Sequence, residues 1–182
     1  MNFIETEVPG VWIIEPKVWG DARGYFLESY KKELFDKHIG KVDFVQDNES
    51  FSSFGVLRGL HYQIGEYSQA KLVRVLHGKV LDVAVDIRKS SPNFGKSVAV
   101  ELSDENKKQL FVPRGFAHGF LVLSEFALFS YKVDNLYAPQ HERSIVYNDA
   151  DLKIDWKVDI KELKLSDKDK IAPSFKNAEV FK

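Results

Sequence analysis

The chain has 182 residues, 44% of them apolar and 29% charged, enough for one well-buried core and too few for two. Lys and Arg number 26 against 27 Asp and Glu, so a net charge of −1 creates no broad field toward nucleic acid or an anionic membrane. The absence of Cys removes disulfides, thiolate nucleophiles and zinc-thiolate sites together.

The opening residues 1–7 lack the basic and apolar regions of a signal peptide, which makes the cytoplasm the expected compartment. Apolar runs such as residues 126–129 are far too short to cross a bilayer. In chain order, the first strand candidates are residues 11–14, 24–30 and 42–46, with one helix at 31–38. A strand at 56–63 follows, on which Leu57, Gly59, His61 and Gln63 share a face. Residues 72–76 and 80–87 read as a hairpin, because Gly78 between them can take the positive φ of a tight turn. In the second of these, Leu81, Val83, Val85 and Ile87 alternate with Asp82, Ala84, Asp86 and Arg88, the pattern of two differently solvated faces. Further strands are expected at 97–102, 109–112, 118–123, 128–133 and 144–147, separated by polar turn segments at 90–95 and 103–106. A second short helix at 166–171 has Ser166 as N-cap, with Asp167 and Asp169 in its first turn where the helix dipole favours anions. Period two dominates throughout, which predicts an all-β sandwich or barrel, a single domain over residues 1–182.

Within that frame the chemistry-bearing residues are His61 in Arg58-Gly-Leu-His61-Tyr-Gln63, Lys71, and His118 in Pro113-Arg-Gly-Phe-Ala-His118. A lone strand His is usually a hydrogen-bonded structural residue, and Lys71 reads equally well as an edge-strand residue facing water. Their company argues otherwise. Unpaired burial costs roughly 2–7 kcal/mol for neutral polar groups and more for charges, so a barrel keeps such side chains only around a polar lumen. Tyr131 alone reads as a core aromatic with its hydroxyl at the rim, and Tyr137, before Pro139, as a loop-packing residue. Arg23, in Arg23-Gly-Tyr-Phe26-Leu-Glu28, ends a solvated hairpin or clamps phosphate in fork geometry. His38, His77 and His141 lack comparable neighbours and read as surface or structural residues.

Pro113-x-Gly115-x-x-His118 resembles the second motif of the cupins. Where cupins place His-x-His, this chain has His61-Tyr62-Gln63. Two histidines beside a lysine make a poor metal site, since three or more ligands are needed and an ammonium repels the cation. The sequence therefore predicts no metal and no cofactor.

Phe44-Val-Gln-Asp-Asn48-Glu-Ser50, Val56-Leu-Arg58-Gly-Leu-His61-Tyr-Gln63, Lys71-Leu-Val-Arg-Val75, Gly78 to Arg88, Phe111 to Phe120, Tyr131-Lys132 and Leu165-Ser-Asp-Lys-Asp169 together resemble the dTDP-4-dehydrorhamnose 3,5-epimerases. The resemblance implies a cupin-type double-sheet jelly roll without metal, a homodimer, and a dTDP-4-dehydro-6-deoxyhexose substrate on the route to dTDP-L-rhamnose. It assigns His61 as base, Tyr131 as acid, Lys71 as enolate stabiliser and Asp169 as the carboxylate paired with His61. It matches Arg58, His118, Gln46 and Asn48 to sugar, phosphate and other substrate contacts. It matches Arg23, Phe26 and Glu28 to a segment reaching the nucleotide across the dimer interface, Tyr137 to a residue stacked on thymine, and Glu142 and Lys170 to further contacts. It implies N-terminal strands at the dimer interface and a C-terminal tail near the site. Relatives that invert one centre, or that move the ketone between C3 and C4, stand as alternatives. So does a noncatalytic sugar-nucleotide binding protein, which needs the nucleotide clamp but neither acid nor base.

Overall fold

The computed structural model describes all 182 residues. Strands β1 (Asn2–Glu5) and β2 (Trp12–Glu15) precede a ribbon of β3 (Val18–Asp21) and β4 (Gly24–Leu27), and then helix α1 (Lys32–His38). Next come β5 (Gln46–Ser53), β6 (Leu57–Gln63), β7 (Lys71–His77), β8 (Lys79–Asp86), β9 (Ser97–Ser103) and β10 (Gln109–Val112). The chain ends with β11 (Phe116–Val122), β12 (Phe126–Val133), β13 (Glu142–Ser144) and helix α2 (Asp167–Lys170). They build a six-stranded sheet of order β1-β2-β10-β7-β12-β5 and a five-stranded sheet of order β13-β6-β11-β8-β9. The two face each other as the double-sheet jelly-roll barrel that the family resemblance implies, within the all-β class that the period of two predicts. No helix is long and apolar enough to cross a membrane.

Strand alternation distributes apolar side chains over three layers. Val73, Val75, Phe116, Phe120 and Phe129 meet between the sheets. Leu81, Val83, Val85 and Leu121 point outward from the five-stranded sheet and are covered by the C-terminal segment through Tyr147, Leu152 and Trp156. On the outer side of the six-stranded sheet, Ile14, Leu72 and Phe111 lie under Phe35 of α1.

Several sequence expectations are corrected. Residues 72–76 and 80–87 form strands but no hairpin: β7 pairs with β10 and β12, and β8 with β11 and β9. Both edges of each strand are already occupied, so Gly78, at φ +80, carries the chain from one sheet to the other. A Cβ there would lie 1.9 Å from the carbonyl oxygen of Phe126. The two faces of β8 do not differ in solvent either. The apolar set is covered by the C-terminal segment, whereas Asp82 and Ala84 face the barrel interior, both fully buried. Residues 42–45 lie outside the sheets, and the strand begins at Gln46 and runs to Ser53. The segment expected at 144–147 pairs as Glu142–Ser144, 24–30 shortens to Gly24–Leu27, and β1 and β3 carry too few alternating residues to have been read.

Candidate active site

The decisive irregularity lies on β6. His61 stands opposite His118 and Arg58 opposite Phe120, so Gly59 and Leu60 together face Gly119 alone. This is a β-bulge, and it changes which side chains share a face. In a regular strand Arg58 and His61, three apart, would point to opposite sides; here both line one cavity, while Leu60 turns into the outer apolar layer. The expected grouping of Leu57, Gly59, His61 and Gln63 on one face therefore does not hold. Gly59 is what the bulge requires, since its φ is +143 and a Cβ would stand 2.5 Å from the Cα of Gly119.

The cavity has a volume of about 480 Å³ and opens between the two sheets at one end of the barrel. From the five-stranded sheet come Arg58, His61 and His118; from the six-stranded sheet come Lys71 and Tyr131. His61 and Tyr131 thus stand on facing walls. The C-terminal segment closes the remaining side with Lys164, Ser166 and Asp169.

Asp169 Oδ1 lies 2.5 Å from His61 Nε2. Chain pairing sets this contact: Leu57 N–H donates to the carbonyl of Lys164, and Lys164 N–H to that of Gly55, which aims the next residues at β6. Ser166 then caps α2, accepting from the Asp169 N–H and donating to its Oδ2 at 2.8 Å. Asp167, two residues earlier, is 98% exposed and bonds Lys170 instead. Burial would raise the Asp169 carboxyl, but the His61 and Ser166 hydrogen bonds and the charges of His61 and Lys168 hold it below the usual range. An ionised carboxylate only accepts, so in the neutral ring Nε2 carries the proton and Nδ1, which has no protein partner, carries the lone pair, and the protonated ring faces the same carboxylate as an imidazolium.

Lys71 is on β7, a central strand, so the edge-strand reading is overturned. It forms no ion pair, and burial pushes its ammonium down to about 8, against the pull of Asp82 and Glu142. Burial likewise raises the Tyr131 phenol, with Glu142 adding to the shift and Arg58 opposing it. Arg58 meets only Ser52 Oγ, at 3.1 and 3.3 Å, and keeps its guanidinium free for an anion. Glu142, whose charge reaches Lys71 and Tyr131 from outside the cavity lining, binds Lys168 at 2.5 Å and the Tyr137 hydroxyl at 2.8 Å. Gln46 and Asn48 bond each other at 2.7 Å on β5, where Asn48 is the direct partner of Tyr131.

Of the expected contacts, Gln46, Asn48, Tyr137 and Glu142 do not line the cavity, and neither do Arg23, Phe26, Glu28 and Lys170. Arg23, Phe26 and Glu28 belong to the exposed β3-β4 ribbon or its exit; Arg23 pairs with Asp21, and Phe26 packs on Trp19. Lys170 does not line the cavity, and it is Lys168 that reaches Glu142. Sequence reasoning gave no role to Asp82, whose Oδ1 and Oδ2 both lie 3.0 Å from His118 Nε2. Its signal was present as a polar residue at an inward position of an apolar strand. No cluster of three or more His, Asp or Glu side chains has metal-binding geometry. The assembly offers a lone-pair nitrogen, an opposed phenol and an ammonium around one space, beside an unpaired guanidinium: parts for proton transfer next to a carbonyl in an anionic ligand.

A family model described as dTDP-4-dehydrorhamnose 3,5-epimerase matches residues 5–177. A relative of that description from Shigella flexneri is 56% identical over 182 residues, covering 100% of this chain and 99% of its own. The crystal structure of dTDP-4-dehydrorhamnose 3,5-epimerase from Elizabethkingia anophelis is similar with a TM-score of 0.94 at 54% identity, covering 97% of each chain. A dTDP-6-deoxy-D-glucose-3,5-epimerase from Legionella pneumophila, solved in complex with dTDP-4-keto-L-rhamnose, has a TM-score of 0.93 at 50% identity, covering 97% of this chain and 93% of that one.

Proposed function

The chain belongs to the dTDP-4-dehydrorhamnose 3,5-epimerase family, and from that premise we propose that His61, Tyr131 and Lys71 perform its reaction in the cavity between the sheets. The enzyme is an isomerase that inverts C3 and C5 of dTDP-4-dehydro-6-deoxy-D-glucose. Both carbons neighbour the C4 ketone, so loss of either proton leaves an enolate with its charge on O4. His61 Nδ1 takes the proton from one face, leaving an imidazolium that Asp169 stabilises. The Lys71 ammonium faces the charge at O4 in a recessed site, where an ion contributes more than in water. Tyr131, held protonated by burial, donates from the opposite face and the centre inverts. Arg58 meets the diphosphate, with His118, Gln46, Asn48, Glu142 and Tyr137 as further substrate contacts.

The observation that carries this reading is the placement of His61 and Tyr131 on opposite walls of one cavity, beside Lys71. Replacing His61 by Ala should leave substrate binding by calorimetry within a few fold while turnover falls by about 10²–10⁴. Turnover at the wild-type rate would remove His61 from the mechanism.

A homodimer belongs to the same proposal. Arg23, Phe26 and Glu28 lie outside the protomer's own cavity, and the β3-β4 ribbon exposes Trp19, Tyr25 and Phe26. A second copy is the partner that gives such an arm a cavity to complete. Cytoplasmic placement fits a chain without Cys, which gains nothing from an oxidising compartment.

A further inference from the structure

Behind the cavity wall sits a carboxylate that the mechanism has not used. Asp82, on β8, is fully buried. Its two oxygens lie at equal distances of 3.0 Å from His118 Nε2, and the imidazole screens it from the cavity. Cα pairing places Asp82 against Phe120 and His118 against Ala84, so the contact is a diagonal one across β8 and β11 on the inward face. A charge with no exposure needs compensation, and an apolar residue would fill this interior position without that cost. Resting on the proposed reaction, we propose that Asp82 is a positioning residue: it fixes the ring orientation and tautomer of His118 and, from behind that ring, keeps Lys71 charged beside the substrate oxygen.

The first half follows from donor and acceptor inventory. A carboxylate on Nε2 assigns the proton to that nitrogen and leaves Nδ1, which has no protein partner, for the ligand. The second half follows from the surroundings of Lys71. Burial lowers its ammonium to about 8, and Asp82 is the largest opposing influence, ahead of Glu142. Other groups facing this space are the cations Arg58 and Lys164, the imidazoles His61 and His118, the phenol Tyr131, and the acids Glu49 and Asp169. Against burial it is Asp82 first and Glu142 second that favour the Lys71 ammonium.

Asp82→Asn keeps the shape and removes the charge. The expected result is a kcat reduced at least tenfold at pH 8, KM changed by less than about threefold, and an alkaline limb of kcat moved down by about half a pH unit or more. A folded variant with kcat within twofold and an unmoved limb would overturn the proposal. Should Asp82→Asn not fold, nitrogen NMR of wild-type His118 decides: a proton on Nε2 supports the assignment and a proton on Nδ1 alone refutes it. That measurement needs no substrate. Failure of the epimerase reading shows instead as wild-type protein that does not turn over the 4-ketosugar.

Discussion

Lys71 shows how chemistry and stability oppose each other in a single side chain. Its ammonium is held near 8 in the folded chain against 10.5 for an unburied lysine. The unfolded chain therefore binds more protons between those values, and stability rises as pH increases through the window from about 8 to 10.5. Below it, folding must bury the charge at full cost. Lys71→Met should accordingly raise stability at neutral pH by on the order of 1–3 kcal/mol, read as a higher unfolding midpoint, while turnover is lost. A lower midpoint would show that Lys71 packs the site rather than straining it. The same scale shows what a linear sequence leaves open. Asp167 and Asp169 both sit in a charged turn after Ser166, and composition does not separate them. The cap does: Ser166 binds the Asp169 backbone and carboxylate, which turns that side chain toward His61.

Strand existence was legible at the element scale because period two survives wherever one face is buried, as in β9, where Val98, Val100 and Leu102 are buried while Ala99 and Glu101 are exposed. Strand partners were not. Gly78 suits a hairpin turn and a crossing between sheets equally well, and only the saturation of both edges of β7 and β8 decides between them. Short β1 and β3, with four residues each, carry too little alternation to register. The bulge on β6 was hidden for a different reason: Gly-Leu inside a strand does not announce which partner it opposes. Yet this bulge brings Arg58 and His61 to one wall. Gly59→Ala should force the Gly119 backbone away and strain a positive φ, lowering stability by about 1–3 kcal/mol and activity with it. Thermal unfolding and turnover of the purified variant check both effects; unchanged values would mean that the bulge tolerates a Cβ.

Across the whole molecule, the cavity draws one wall from each sheet and a third from the C-terminal segment, so the site exists only when the barrel is closed. Polar residues at strand positions marked His61, Lys71 and His118, whereas the roles given to Tyr131 and Asp169 came only from the resemblance of whole motifs. The nucleotide arm is the part a single chain leaves incomplete. If Arg23 acts across a dimer, refolding equal amounts of Arg23→Ala and His61→Ala together should restore about a quarter of wild-type activity, since half the dimers then hold one intact site. No restoration, with mixed dimers present, would place Arg23 in its own protomer's site, and full activity of Arg23→Ala alone would place it outside the chemistry. The account itself stands on facing base and acid acting at both carbons beside the ketone. Turnover of dTDP-4-dehydro-6-deoxy-D-glucose in deuterated water, followed by NMR of the product, tests this most directly. Solvent deuterium at both C3 and C5 is the predicted result; protium retained at either carbon in inverted product would contradict it.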